Sequence, residues 1–267
     1  MTRICRKSEE LSTDWTVFFP ECHLLAGLQT SRCRMDRDRG WCLALVHLAD
    51  LHFLDREKQQ SQLARLLSPA ELERFAAFRL EKRRREWLGG RLAIKQALLR
   101  LTGEDKDVRT ISILPDEHGR PRLTMSRPAP VPSISISHSG TSAVAMASRA
   151  RSCGVDVQEI VPRIERLADH IGEPAELALL AGAIAGANNA ARLTMLWAAK
   201  EAVKKSLLPD QPAFFNATRL REIDMDSTGS AVFRLACTLH GMRATGATIR
   251  IHRFDGYILA FTEQDHA

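Results

Sequence analysis

The order of periodic segments constrains this chain more than any other feature. A helical pattern is followed by short alternating strands, and helix and strands then recur in the same order. The first helix opens in 68-SPAELERFAAF-78. There Ser68 is an N-cap, Pro69 falls in the first turn and Glu71 stands three residues after the cap, as in a capping box. The second, 81-EKRRREWLGGRLAIKQALLRLTG-103, has an apolar stripe that includes Leu88, Leu92, Leu98 and Leu99, and it ends at Gly103. Upstream, 41-WCLALVHLAD-50 alternates as a strand, with Leu43, Leu45 and His47 on one face and Cys42, Ala44 and Val46 on the other. Downstream, 109-RTISIL-114, 133-SISISH-138, 143-AVAMAS-148 and 153-CGVDVQEI-160 read as strands, and 116-DEHGRP-121 is a turn-rich loop. A helical stretch over about 174–208, broken near 186-GANN-189 and stopped by Pro209, precedes strands at 231-AVFRLACTL-239, 248-TIRIHRF-254 and 257-YILAFT-262. The expected class is α+β, with two similar halves, 41–150 and 151–267, although no sequence repeat proves a duplication. Residues 1–40 lack clean periodicity and end in the charged run 32-RCRMDRDRG-40, which predicts a poorly ordered or loosely docked extension.

Composition removes several classes. With 267 residues, 45% hydrophobic and 26% charged, the chain needs no disulfide or metal to fold and is neither collagen-like nor disordered throughout. Its six cysteines form no CxxC pair and no zinc spacing, which predicts reduced thiols in a cytoplasmic protein. The N-terminus meets Glu9, Glu10 and Asp14 before any apolar run, so it does not read as a signal peptide. The longest weakly polar stretch, 177–187, is far short of the ~20 residues of a membrane span, so a soluble protein with no membrane partner is expected. A net charge of +6 favours nucleic acid, anionic membrane, phosphate-bearing ligands or an acidic protein partner without choosing among them. The cations are mostly arginine, yet three of the eight lysines fall within 200-KEAVKK-205.

Two segments carry candidate chemistry. In 154-GVDVQEI-160, Val155 and Val157 share the core face of a strand, which leaves Asp156 and Gln158 on the other. A carboxylate on such a strand is costly to bury without a cation or hydrogen bonds, and the plain alternative is a solvent-facing Asp on an edge strand. In 197-WAAKEAVKK-205, Trp197, Glu201 and Lys205 lie along one helical stripe with Lys200 beside it. The plain alternative there is a surface ion pair worth only ~0.3–0.5 kcal/mol. The clustering of lysine in an arginine-rich chain favours chosen, compact ammonium groups.

Taken together, G-V-D and, 45 residues after Asp156, the Glu of W-x-x-K-E-A-x-x-K resemble the 4′-phosphopantetheinyl transferase superfamily, surfactin- and enterobactin-synthetase type. The resemblance extends to 135-SISHSG-140, 117-EHGRP-121 and 82-KRRREWLGGR-91, and so covers about residues 66–206. It implies a pseudo-two-fold chain of small antiparallel sheets and packed helices, with the active site between the halves. It also implies transfer of the phosphopantetheine arm of coenzyme A to a carrier-protein serine, with release of adenosine 3′,5′-bisphosphate. Asp156 and Glu201 would hold Mg²⁺, with Gln158, where many relatives have a third acid, as a weaker ligand acting directly or through water. Glu201, directly or through a metal-bound water, would take the serine proton. Lys205, supported by Lys200, would stabilise the pyrophosphate, and Trp197 would pack beneath the site. Ser137 and His138 would meet the coenzyme A phosphates, Gly119, Arg120 and Pro121 the adenine and a phosphate, and Arg85 the 3′-phosphate. The implied partner is an acidic carrier protein of fatty-acid, polyketide or peptide synthesis, with no nucleic acid, and the chain would be a monomer. The alternatives are a nucleic-acid-binding protein using 82-KRRR-85 and a non-catalytic protein of the same fold.

Overall fold

The computed structural model describes residues 14–22, 31–53, 59–103, 107–125, 131–211, 214–226, 230–239 and 242–263. In chain order they form α1 (Trp15–Phe18), β1 (Ser31–Asp36), β2 (Trp41–His47), α2 (Gln59–Leu66), α3 (Pro69–Ala76), α4 (Glu81–Thr102), β3 (Ile111–Pro115), β4 (Pro121–Met125), β5 (Ser133–Ser139), β6 (Ser142–Ser148) and β7 (Val155–Glu159). There follow α5 (Ala168–Ile171), α6 (Pro174–Ala183), α7 (Asn189–Leu207), α8 (Phe214–Ala217), β8 (Thr218–Met225), β9 (Ala231–Leu239), β10 (Met242–Phe254) and β11 (Tyr257–Glu263). One antiparallel sheet has the order β1-β2-β6-β5, a second β7-β11-β10-β9-β8, and β3 and β4 form a separate hairpin. The class is the expected α+β.

Alternation decides how the layers stack. In β2, Cys42, Ala44 and Val46 pack with Leu92, Ile94 and Leu98 of α4, whereas Leu43 and Leu45 face the second sheet and meet Val155, Val157, Leu259 and Phe261. In β11 the neighbouring residues Ile258 and Ala260 turn to α7, packing with Leu196 and Val203. The order is therefore helix, sheet, sheet, helix, with three apolar layers between. The seam between the sheets is also polar on one side. The 133-SISISHS-139 alternation puts the hydroxyls of Ser135, Ser137 and Ser139 against the free edge of β7, where they accept the N–H groups of Val155, Val157 and Glu159 at 3.0, 3.2 and 3.0 Å. Side chains thus satisfy donors that a neighbouring strand would otherwise take.

Three expectations are corrected. The extension is not loosely docked where it is described: β1 pairs with β2 along its length, Phe18 and Phe19 enter the layer between the sheets, and the Trp15 ring stacks on Phe254 at 3.8 Å. The charged run around 32–40 therefore supplies a sheet edge and its hairpin turn. Residues 116–120 are the turn of the β3–β4 hairpin, and Pro121 already belongs to β4. Finally, β8 has no counterpart among the predicted strands. The helix break after Ala183, the helix end at Leu207 and the Ser68–Glu71 capping box fall where the sequence places them.

The buried ring of His252 makes folding acid-sensitive. Burial lowers its pKa from the usual 6.5 to about 3, with Arg250 and Arg34 adding repulsion. Below pH 6.5 the unfolded chain takes up a proton that the folded chain refuses until about pH 3. Stability present at neutral pH is therefore lost on acidification, at up to ~1.4 kcal/mol per pH unit from this one group. Urea unfolding midpoints at pH 7 and pH 5 should show this loss, and His252→Phe should flatten it.

Candidate active site

Asp156 lies on β7 and is only 2% exposed. A buried carboxylate needs several donors, and three converge on it: Ser137 Oγ at 2.7 Å and Lys205 Nζ at 2.7 Å, both on Oδ1, and Gln158 Nε2 at 2.9 Å on Oδ2. Lys205 also donates to the Val155 carbonyl at 3.0 Å, which ties α7 to β7. The close approach of these elements depends on Gly154. A Cβ there would stand 2.0 Å from the Ala202 carbonyl oxygen, on the turn of α7 between Glu201 and Lys205.

Glu201 is half-buried on the same side of α7. Burial pushes its carboxyl above the ordinary glutamate pKa, and the neighbouring Asp156 charge pushes it further, against the opposing pull of Lys205 and Lys204. The structure thus brings Asp156, Glu201 and Lys205 together. Trp197 lies one turn back, its ring 4.9 Å from that of Phe215, and it walls a shallow apolar cleft that includes Gln158. Lys200 does not join them. It is 1% exposed, points into the helical core and is paired with Glu176 at 3.0 Å, so the expectation that it supports Lys205 at the pyrophosphate of coenzyme A is corrected.

A cleft of about 550 Å³ opens beside Lys205 at the seam between the halves. Gly119, Arg120 and Pro121 line it, as do Ser135 and Ile136 of β5. Among the described lining residues, Arg120, Arg122, Arg151, Lys204 and Lys205 face a single acid, Asp116. Such a wall suits phosphate. Gly119 has φ +80, which lets the turn present Arg120, and Arg120 is ion-paired with Asp210. Ser137 does not line the cleft and instead bonds Asp156. His138 does not line it either; its Nδ1 stands 3.9 Å from Glu86. Burial lowers the His138 pKa, partly offset by Glu86. Arg85 stands elsewhere: it bonds Glu81 at 2.9 Å and lines a different cleft with Glu86, Gly140 and Thr141. Arg122, Arg151 and Lys204 escaped the sequence reading. The doubled lysine 204-KK-205 was their one visible signal.

Residues 152–262 match the model of the 4′-phosphopantetheinyl transferase superfamily. That span holds Asp156, Glu201 and Lys205. Among solved structures, a holo-(acyl-carrier-protein) synthase from Bacillus anthracis str. Ames in complex with CoA (3′,5′-ADP) is similar at 24% identity, over 39% of this chain and 90% of that one, with a TM-score of 0.35. A holo-ACP-synthase from Plasmodium yoelii is similar at 20% identity, over 43% and 94%, with a TM-score of 0.34. No curated protein matches this chain.

The residues present fit a hard divalent cation. Asp156 and Glu201 offer carboxylate oxygens, and a cation between them would relieve the burial and repulsion that raise the Glu201 pKa. Gln158 turns its amide nitrogen to Asp156, as a donor that orients the carboxylate. Among the described residues no group of three His, Cys, Asp or Glu side chains is placed for a metal ion, so substrate oxygens and water would complete its shell.

Proposed function

We propose that this chain transfers the 4′-phosphopantetheine arm of coenzyme A to a serine of an acidic carrier protein, with release of adenosine 3′,5′-bisphosphate. The observation that carries the reading is the double engagement of Lys205, which bonds Asp156 and also walls the cationic cleft. It links the acid pair to the phosphate-binding surface. In this reading Arg120, Arg122 and Arg151 hold the nucleotide phosphates, and Lys205 steadies the pyrophosphate as its bond breaks. A Mg²⁺ ion at Asp156 and Glu201 would supply charge neutralisation on the phosphate oxygens. Glu201 accepts the proton of the incoming serine hydroxyl, directly or through a water molecule.

The carrier approaches from the other side of Gln158. There an apolar cleft of about 370 Å³ is formed by Ile164, Leu167 and Trp197 and flanked by Arg163 and Arg166. That surface suits an acidic helix with an apolar anchor, so the rate should fall as ionic strength rises.

The test is incubation of the chain with coenzyme A, Mg²⁺ and an apo carrier protein, followed by intact-mass measurement of the carrier. A gain of one phosphopantetheine supports the reading, and an unchanged mass under saturating conditions rejects it. Replacing Gln158 with Glu adds a hard anionic ligand beside Asp156. It should lower the Mg²⁺ concentration for half-maximal rate by about tenfold and alter the balance between Mg²⁺ and Mn²⁺. Metal titrations that superimpose for the two proteins would remove Gln158 from the metal's surroundings.

A further inference from the structure

The two halves share a buried device that the chemistry does not explain. The tetrapeptide 69-PAEL-72 recurs as 174-PAEL-177, and Lys95-Gln96-Ala97 recurs as Lys200-Glu201-Ala202. Both repeats are displaced by the same 105 positions, Glu71 to Glu176 and Lys95 to Lys200. The side chains match as closely. Glu71 accepts from Lys95 at 2.6 Å, from the Ser68 N–H at 2.9 Å and from the Ile113 N–H at 3.0 Å. Glu176 accepts from Lys200 at 3.0 Å, from the Glu173 N–H at 2.9 Å and from the Leu220 N–H at 2.7 Å. All four charged residues are at most 3% exposed. Lys95 finishes on the Leu66 and Val108 carbonyls, and Lys200 on that of Phe215. In each half one ion pair thus ties the long helix to the capping box of a short helix and to the next strand.

The chemistry is not repeated. Glu201 corresponds to the buried Gln96. By strand register Asp156 corresponds to Ala44, since each lies three residues before the β2 or β7 residue that pairs with the first residue of β6 or β11. The first half keeps the ion pair without the acids, so the pair does not exist to touch substrate. We infer that Lys200 is a positioning residue for the reaction. Its buried pair with Glu176 fixes the rotation and height of α7, and thereby aims the adjacent Glu201 at Asp156. This rests on the transfer reading above and deepens it.

The first half provides the control. Glu176→Gln with Lys200→Met, and separately Glu71→Gln with Lys95→Met, each remove one pair without leaving a buried charge alone. Both proteins are measured at a temperature where cooperative melting shows them folded. The readouts are Mn²⁺ affinity by electron paramagnetic resonance, coenzyme A affinity and turnover. The Glu176/Lys200 variant should bind Mn²⁺ at least about tenfold more weakly and turn over correspondingly slower, while its coenzyme A affinity stays within twofold. The Glu71/Lys95 variant should match the wild type in all three. Equal losses in both variants overturn the inference, as does a coenzyme A affinity that falls more than fivefold in the first. A wild-type chain that binds no Mn²⁺ would take the transfer reading down and this one with it. Wild-type binding with no difference between the variants overturns this inference alone.

Discussion

Asp156→Asn and Glu201→Gln should each slow phosphopantetheine transfer by at least about 100-fold while the protein stays folded. The first substitution keeps the side-chain shape that receives Ser137 and Lys205, and the second keeps the side-chain volume on α7. What each loses is one of the two charges proposed to hold a cation. The variants should differ in stability, and the sign follows from the raised Glu201 pKa. A folded carboxyl with a raised pKa holds a proton that the unfolded chain releases. Stability therefore falls as pH rises through the interval above the ordinary value of 4.5. At neutral pH without metal, Glu201→Gln should melt above the wild type. Added Mg²⁺ should raise the melting temperature of the wild type and leave that of the variant where it was. Retention of more than a tenth of the wild-type rate by either variant at saturating Mg²⁺ would remove the acid pair from the mechanism.

Gly154→Ala should cost about 3 kcal/mol or more of unfolding free energy, although it adds one methyl group. The obstruction is the Ala202 backbone carbonyl, which no rotamer change can clear. If the chain relieves the clash by pushing α7 away, the Lys205 bonds to Val155 and Asp156 stretch together, and turnover falls in whatever protein still folds. Gly182→Ala is the matched control. That residue sits on α6 with nothing within 4 Å of an added Cβ, and the substitution should be neutral or stabilise by up to about 1 kcal/mol. Denaturant midpoints for the two variants give the comparison. A cost below about 1 kcal/mol at Gly154 would mean that another contact sets the distance between β7 and α7.

The particular residues show why some of this was legible in the sequence. β7 and α7 were plain because residue type sorts by face even where burial does not: Val155, Asp156 and Val157 are all buried, yet apolar and polar side chains alternate, and Trp197, Glu201 and Lys205 keep helical spacing. β1 was hidden because it is an edge strand whose Arg32 and Arg34 read as a solvated charge run, whereas Arg32 donates to the Phe19 carbonyl and Glu21 and Arg34 lies over the Phe18 ring. β8 was hidden for the same reason, with Glu222 and Asp224 pairing across to Arg234 of β9. Lys200 was misread because it adjoins Glu201 in sequence. Neighbours on a helix point about 100° apart, and that turn takes Lys200 into the core. Arg85 belongs to a motif by order alone, and the fold puts it in another cleft.

The three serines along β5 have a consequence for assembly. They hold the second sheet at every other residue, with Ile136 and His138 between them turned the other way. A slip of one residue would set Ile134, Ile136 and His138 against the three amide hydrogens. The next matching alignment lies two residues on, roughly 6.6 Å away. The lobes therefore cannot creep past one another by small increments. Docking is quantised, so a molecule has Asp156 correctly placed or lacks a competent centre altogether, and weakening the interface should reduce the fraction of working molecules before it degrades the performance of each.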